Sequence, residues 1–435
     1  MTVSSASMIA ILLFALSFGC NRKEEKQAAP AVRAQQPPVQ RSEPIEIYTL
    51  WSGPGEDEAY QAFMDVFNRE FPTILLNDLS KIPGHGDKAY GELMQRIPQK
   101  NPPDSFQVYP ALLAQFMVAK EKQIEPLDAL YKLKYWGHTL PEIITDTVSH
   151  DGHIYAVPIG MHRRNTMFCN PELVQSPPKT LAELFSRAEA LKAEGTDAVV
   201  VTIKDADWPL MLMFNAVMTG SAGIPFMKDF YEGRLSFRDS SSTQTLEKVI
   251  SDYQKLLGYA NTDGTALNWR DGARRVMEKK AAIYIHGDWV TGYYKSLGWS
   301  PSVAPAPGTD GLFALSLDAF TLCTDAPHPE NARRFLSFVG SQEGQTAFNR
   351  LKGSLPARND VSVKGWGPIA EATYADFRSA TFVFNVDKYL FIGLPEQLRA
   401  FYDKSITAKA LHSWIILHYK TELVTYDSLR LRSHL

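Results

Sequence analysis

Short β-branched runs alternate with amphipathic stretches along most of this chain. Residues 45–50 (IEIYTL) alternate apolar and polar positions, the period of a half-buried strand, and stop at Trp51-Ser52-Gly53-Pro54-Gly55. Tyr60, Phe63, Met64, Phe67 and Phe71 then recur at helical spacing behind Glu56, Asp57 and Glu58, whose carboxylates suit the positive end of a helix. The order repeats. A strand is expected over 74–79, a loop at 83–86 and a helix over 90–97, then a Pro-rich loop, a strand over 105–109 and a helix over 111–120. Asp151-Gly152 reads as a turn before a strand over 153–159, whose Pro158 suits an edge or a crossing segment.

Helical patterns over 180–193, 208–217, 241–257 and 272–279 interleave with strands over 198–203 and 281–286. Residues 301–308 (PSVAPAPG) read as an extended linker. Residues 312–322 read as a strand carrying Asp318 in otherwise apolar surroundings, where a carboxylate needs partners. Helices over 329–339 and 341–351 close on the sharp exit Lys352-Gly353-Ser354-Leu355-Pro356. Strands alternating with helices predict an α/β fold with a largely parallel sheet. A chain of 435 residues exceeds the ~250 to 300 that one core serves, so two lobes are expected.

The apolar run at 8–18 (MIAILLFALSF) is too short to span a bilayer and ends at Gly19-Cys20, as a lipoprotein signal does over residues 1–20; Cys20 would carry the lipid. An ordinary signal peptide with an incidental Cys20 is the alternative, since no Lys or Arg precedes the run. Residues 21–44 lack aromatics and are rich in Gln, Pro and Ala, the composition of a disordered tether. Cys169 and Cys323 stand far apart and outside any ligand spacing, so both read as buried small hydrophobes.

A formal charge of -3 with no basic stripe argues against nucleic-acid binding. Catalytic signatures are missing: there is no GxSxG, P-loop or HExxH, and no His or Cys set at metal spacing. No cofactor, metal or catalytic residue is therefore expected. His162, Arg163 and Arg164 read as a hydrated or structural cluster. What stands out is a set of aromatic and polar residues at element ends: Trp51, Glu56, Gln107, Tyr109, Trp269, Asp288, Trp289, Asp318 and Lys352. Sugars present apolar C–H faces and rings of hydroxyls, so a site for them needs flat rings with carboxylates, amides and a lysine. Each also has a plainer structural use, with Glu56 and Asp288 as helix caps and the indoles as core.

The collinear set Trp51-Ser52-Gly53-Pro54-Gly55-Glu56, NPPDxxQ ending at Gln107, DGxxYAVPxxxHRxN over 151–165, Asn268-Trp269, Gly287-Asp288-Trp289, Asp318 and KGSLPAR from Lys352 resembles the extracellular sugar-binding proteins of ATP-binding-cassette (ABC) importers. It is most similar to the glucose/mannose-binding group. The resemblance implies a two-lobed clamp crossed three times, with lobe one at 45–152 and 313–353, lobe two at 153–312 and 354–425, and a tail at 426–435. It implies a monomer in the periplasm or at the cell surface that binds a monosaccharide and hands it to a membrane permease. Trp51, Trp269 and Trp289 would be stacking rings. Glu56, Gln107, Asp318 and Lys352 would hold hydroxyls, with Tyr109 and Asp288 beside them. Tyr109 stands where the group often has Lys or His, Leu50 replaces one of a Trp pair, and a late His is absent from 381–388. A secreted glycan hydrolase and a sugar-binding scaffold without transport are the rival readings.

Overall fold

The computed structural model describes residues 44–81, 89–113 and 122–425. The signal, Cys20, nearly all of the tether, the expected loop at 83–86, most of the helix expected over 111–120 and the tail lie outside the described residues. The strands are β1 (Ile45–Tyr48), β2 (Leu76–Asp78), β3 (Ser105–Val108), β4 (Ser149–His150), β5 (His153–Ile154), β6 (Val157–Arg163), β7 (Thr166–Cys169), β8 (Asp197–Val199), β9 (Ala281–His286), β10 (Ser302–Pro305), β11 (Leu312–Leu322), β12 (Phe382–Asn385), β13 (Tyr389–Phe391) and β14 (Leu423–Thr425).

Two sheets carry the chain as a two-lobed α/β protein. In the first, the order is β12-β11-β3-β1-β2 with β6 added to β11; in the second it is β10-β7-β9-β8. The expected parallel pairing holds for β1 with β2 and β3, for β8 with β9 and for β11 with β12, whereas β11 runs antiparallel to β3 and β6. Residues 301–308 are not a linker: Ser302–Pro305 pairs antiparallel with β7, so Pro305 occupies the last rung of an edge strand, which tolerates a missing donor. Pro158 also sits off the central ladder, in a strand whose carbonyls are taken by side chains: Gln345 Nε2 donates to Pro158 O at 2.9 Å and Asn349 Nδ2 to Ile159 O at 2.8 Å.

Apolar periodicity places the helices. Glu56–Glu70 buries Ala59, Phe63, Met64 and Phe67, and Phe63 and Phe67 meet Phe335 and Phe338 of helix Pro329–Val339. Asn268 accepts from the amides of Arg270 and Asp271, so the next helix starts at Trp269 rather than at 272. Helix Trp208–Tyr231 is longer than the 208–217 expected and breaks at Gly223, which takes φ 82°. Its apolar length is that of a core helix, burying Leu210, Met213, Phe214 and Val217.

Buried side chains gather around each sheet. The first core draws on residues between Ile45 and Met161 and between Phe313 and Ala370. The second draws on residues between Met167 and Ala306 and between Phe384 and Tyr419, joined by Leu312 and Ala314. Tyr155, Val157, Ile159, Met161, Leu355, Val361 and Trp366 thus pack with the first core, although the sequence put them in lobe two. The cause is hydrogen bonding: β6 is stitched to β11, and Met161 exchanges both backbone bonds with Leu355.

Candidate functional site

The end of β9 sets the geometry. At Gly287 an added Cβ would fall 2.0 Å from the Trp289 ring, so only glycine lets the indole fold back over the chain. Asp288 is not a helix cap. Its carboxylate instead accepts from the Arg163 amide at 2.8 Å and lies 2.5 Å from His162 Nδ1. The other imidazole nitrogen lies 3.2 Å from Asp318 Oδ2. Asp318 stands at the irregularity in β11 between Asp318 and Ala319, where it also accepts from Trp51 Nε1 at 3.1 Å and Gln107 Nε2 at 3.2 Å. Gln107 Oε1 in turn accepts from the Leu50 amide at 2.7 Å. One imidazole therefore ties a carboxylate at the end of a second-sheet strand to one within the first sheet.

Electrostatics follow from this bridging. Burial disfavours an imidazolium, but the carboxylates of Asp288 and Asp318 overturn that and raise the His162 pKa to about 9. Burial likewise opposes charge on Asp318, yet His162, Lys352 and the Trp51 N–H hold its carboxyl below the usual range. His162 and Asp318 are both charged at neutral pH.

Glu56 anchors a second constellation. Lys352 Nζ lies 2.6 Å from Oε1, Arg270 Nη2 lies 2.8 Å from Oε2, and the Ser52 amide donates to the same oxygen at 3.2 Å. Glu56 opens helix Glu56–Glu70 and Lys352 closes helix Gln342–Lys352, both on the first core, whereas Arg270 belongs to helix Trp269–Met277, which packs on the second sheet through Ala273 and Val276. The lobes also touch backbone to backbone. A Cβ on Gly55 would lie 2.6 Å from the Gly292 carbonyl carbon, and one on Gly292 would lie 2.5 Å from the Lys352 oxygen.

All nine residues singled out in the sequence fall in or beside these constellations, in different roles. Trp51 is 3% exposed and lies with its centroid 4.2 Å from that of Phe348, so its ring is largely spent on the core. Trp269 is half-buried, edge-on to Tyr293 with the Arg270 guanidinium 4.1 Å from its centroid. Trp289 is half-buried and meets His162 edge-on at 5.3 Å. Tyr109 is 38% exposed; close packing and the nearby Asp318 and Glu56 carboxylates push its pKa well up. Sequence reasoning missed His162 and Arg270. The one available signal was the triple His162-Arg163-Arg164 inside an apolar strand pattern, which demands partners. Asp288 and Asp318 are both buried and both engaged by His162.

Residues 81–372 match the family model described as bacterial extracellular solute-binding protein. The chain belongs to that family. Among its relatives, an uncharacterized ABC transporter extracellular-binding protein of Pyrococcus horikoshii is 30% identical over 380 residues, covering 85% of this chain and 83% of that one. A probable sugar-binding periplasmic protein of Brucella suis is 25% identical over 367 residues, covering 81% and 85%. Among solved structures, a bacterial solute receptor described as exclusive for β-D-galactopyranose superposes with a TM-score of 0.68 at 17% identity, covering 90% of this chain and 97% of that one. That likeness concerns the fold. Members of the family are binding proteins.

Proposed function

We propose that this solute-binding protein captures a monosaccharide of the glucose or mannose type between its lobes and delivers it to the permease of an ABC importer. The observation that carries this reading is the pair of bridges joining the lobes at their strand and helix ends: Asp288 to His162 to Asp318, and Lys352 to Glu56 to Arg270. Carboxylates, a lysine and an amide converge there beside half-buried indoles, the chemistry that takes up hydroxyls and an apolar sugar face. Glu56, Gln107, Asp318 and Lys352 supply the polar contacts, Asp288 supports them through His162, and Trp289, Trp269, Tyr109 and the Trp51 edge supply the rings. The sugar-binding name of the Brucella suis relative and the galactose preference of the structural neighbour support a sugar as ligand.

The same reading puts the lobe crossings at residues 161–167, 306–313 and 370–384, where core membership changes. It also makes the protein a monomer, held at the periplasmic or outer surface of a membrane by lipid on Cys20 and the tether at 21–44. A ligand that touches both walls favours the closed state by its differential affinity for that state. Titration with glucose, mannose, galactose, xylose and short oligosaccharides, followed by tryptophan fluorescence and calorimetry, tests the assignment. A saturable response to a monosaccharide is expected. Silence across the panel would overturn it.

A further inference from the structure

Beside the bridged carboxylates stands a cation, Arg164, with no ion-pair partner among the described residues. Trp208 and Trp289 stand 5.8 Å apart at 62° and make a corner of two rings. The Arg164 guanidinium lies 5.2 Å from the Trp208 centroid. Its backbone is fixed, with the amide donating to Ala314 O at 2.8 Å, but its buried Nε has no hydrogen-bond partner. Among the described residues no carboxylate forms an ion pair with it. The acid whose field acts most on Arg164 is Asp387, one oxygen of which accepts the Leu317 amide at 3.0 Å.

A second unsatisfied group occupies the same corner. His286 is fully buried, 5.2 Å from Trp208 and 5.1 Å from Trp289, and neither ring nitrogen has a partner. Burial and the Arg164 charge hold its pKa down to about 3, so the ring is neutral, with one donor and one acceptor unused. The Arg164 charge also acts on the Tyr109 hydroxyl, and Tyr109 reaches solvent. The other charges are already matched: His162 serves Asp288 and Asp318, while Lys352 and Arg270 serve Glu56.

Withdrawing a guanidinium from water is costly unless it is paired, and a planar fork braced on an indole presents two donors in the geometry of a carboxylate or phosphate edge. We propose that Arg164, braced on Trp208 beside His286 and Tyr109, is a ligand-contacting residue that selects sugars bearing an anionic substituent. This rests on the receptor reading above and narrows its substrate class. Arg164 is the position that the HRxN pattern leaves open, so the motif did not point to it.

Calorimetric titration of the full chain with glucose, glucuronate, galacturonate and glucose 6-phosphate, in the native protein and in Arg164→Gln and Arg164→Lys, tests the proposal. A charge-assisted fork is worth on the order of 10- to 100-fold, so at least one anionic sugar is expected to bind that much more tightly than glucose. Arg164→Gln should erase the preference and Arg164→Lys should keep part of it, and the uronate and phosphate arms identify the anion. Glucose binding at least as tightly as every anionic sugar, or a preference that survives in Arg164→Gln, would overturn the proposal and leave the receptor reading standing. No binding of any sugar would take both away.

Discussion

Replacing His162 by glutamine tests the central bridge most directly. The imidazolium compensates two buried carboxylates, and removing one partner of a buried ion pair costs about 3 to 5 kcal/mol. The sign of the pH dependence follows from the direction of the shift. A pKa of about 9 in the folded state, against 6.5 for a free imidazole, means that the stabilisation is fully present below pH 6.5 and is lost as pH rises through about 9. At 1.36 kcal/mol per unit the difference is worth about 3 kcal/mol. His162→Gln cannot titrate, so the stability gap between native protein and variant should be largest near pH 6 and should shrink by about 3 kcal/mol by pH 10. Denaturant unfolding followed by circular dichroism at pH 6, 8, 9 and 10 reads this, and subtracting the variant cancels the tyrosines and lysines that titrate in both. A gap that stays constant with pH would refute the claim that His162 is charged between Asp288 and Asp318.

Three further outcomes are expected. Glu56→Gln strands the buried Lys352 ammonium and should cost about 3 to 5 kcal/mol in denaturant melts, and adding Lys352→Met should recover part of the loss, because an apolar side chain needs no counter-charge. Gly292→Ala drives a Cβ into the Lys352 carbonyl and should lower stability by about 1 to 3 kcal/mol, read as a drop in Tm, while alanine at the open position Gly137 should change Tm little. Cys20→Ser should move the protein from the membrane fraction to the soluble fraction after cell lysis; retention in the membrane would remove the lipid anchor from the proposal.

Much of the architecture was legible because it is periodic. The strand Leu312–Leu322 and the helix Pro329–Val339 have the bounds their patterns predict, since each carries its own uninterrupted period. Ser302–Pro305 escaped because prolines at 301, 305 and 307 mask a pairing that only β7 reveals. Members of the bridged constellation were legible where a ring or carboxylate followed a strand end, as at Trp289, or interrupted an apolar run, as at Asp318. His162 was not, because Asp288 and Asp318 lie 126 and 156 positions away in the chain. Trp208 and Arg270 look like ordinary helix openers until the opposite wall is in place. Trp51 was legible as a ring just past a strand end, but its burial against Phe348 depends on a helix nearly 300 positions downstream.

The late arrival of β11 has a consequence for biogenesis. Gln107 and Asp318 are 211 positions apart, so at roughly 5 to 20 residues per second the ribosome delivers β3 some 10 to 40 s before the strand that completes its sheet. Through that interval the amino-terminal half carries an open sheet edge and a core short of Phe320, Phe335 and Phe338. Until β11 is made, that half cannot complete its sheet or its core, so the fold is finished late in synthesis. One strand, β11, thus joins segments made early, β3 and β6, to one made late, β12.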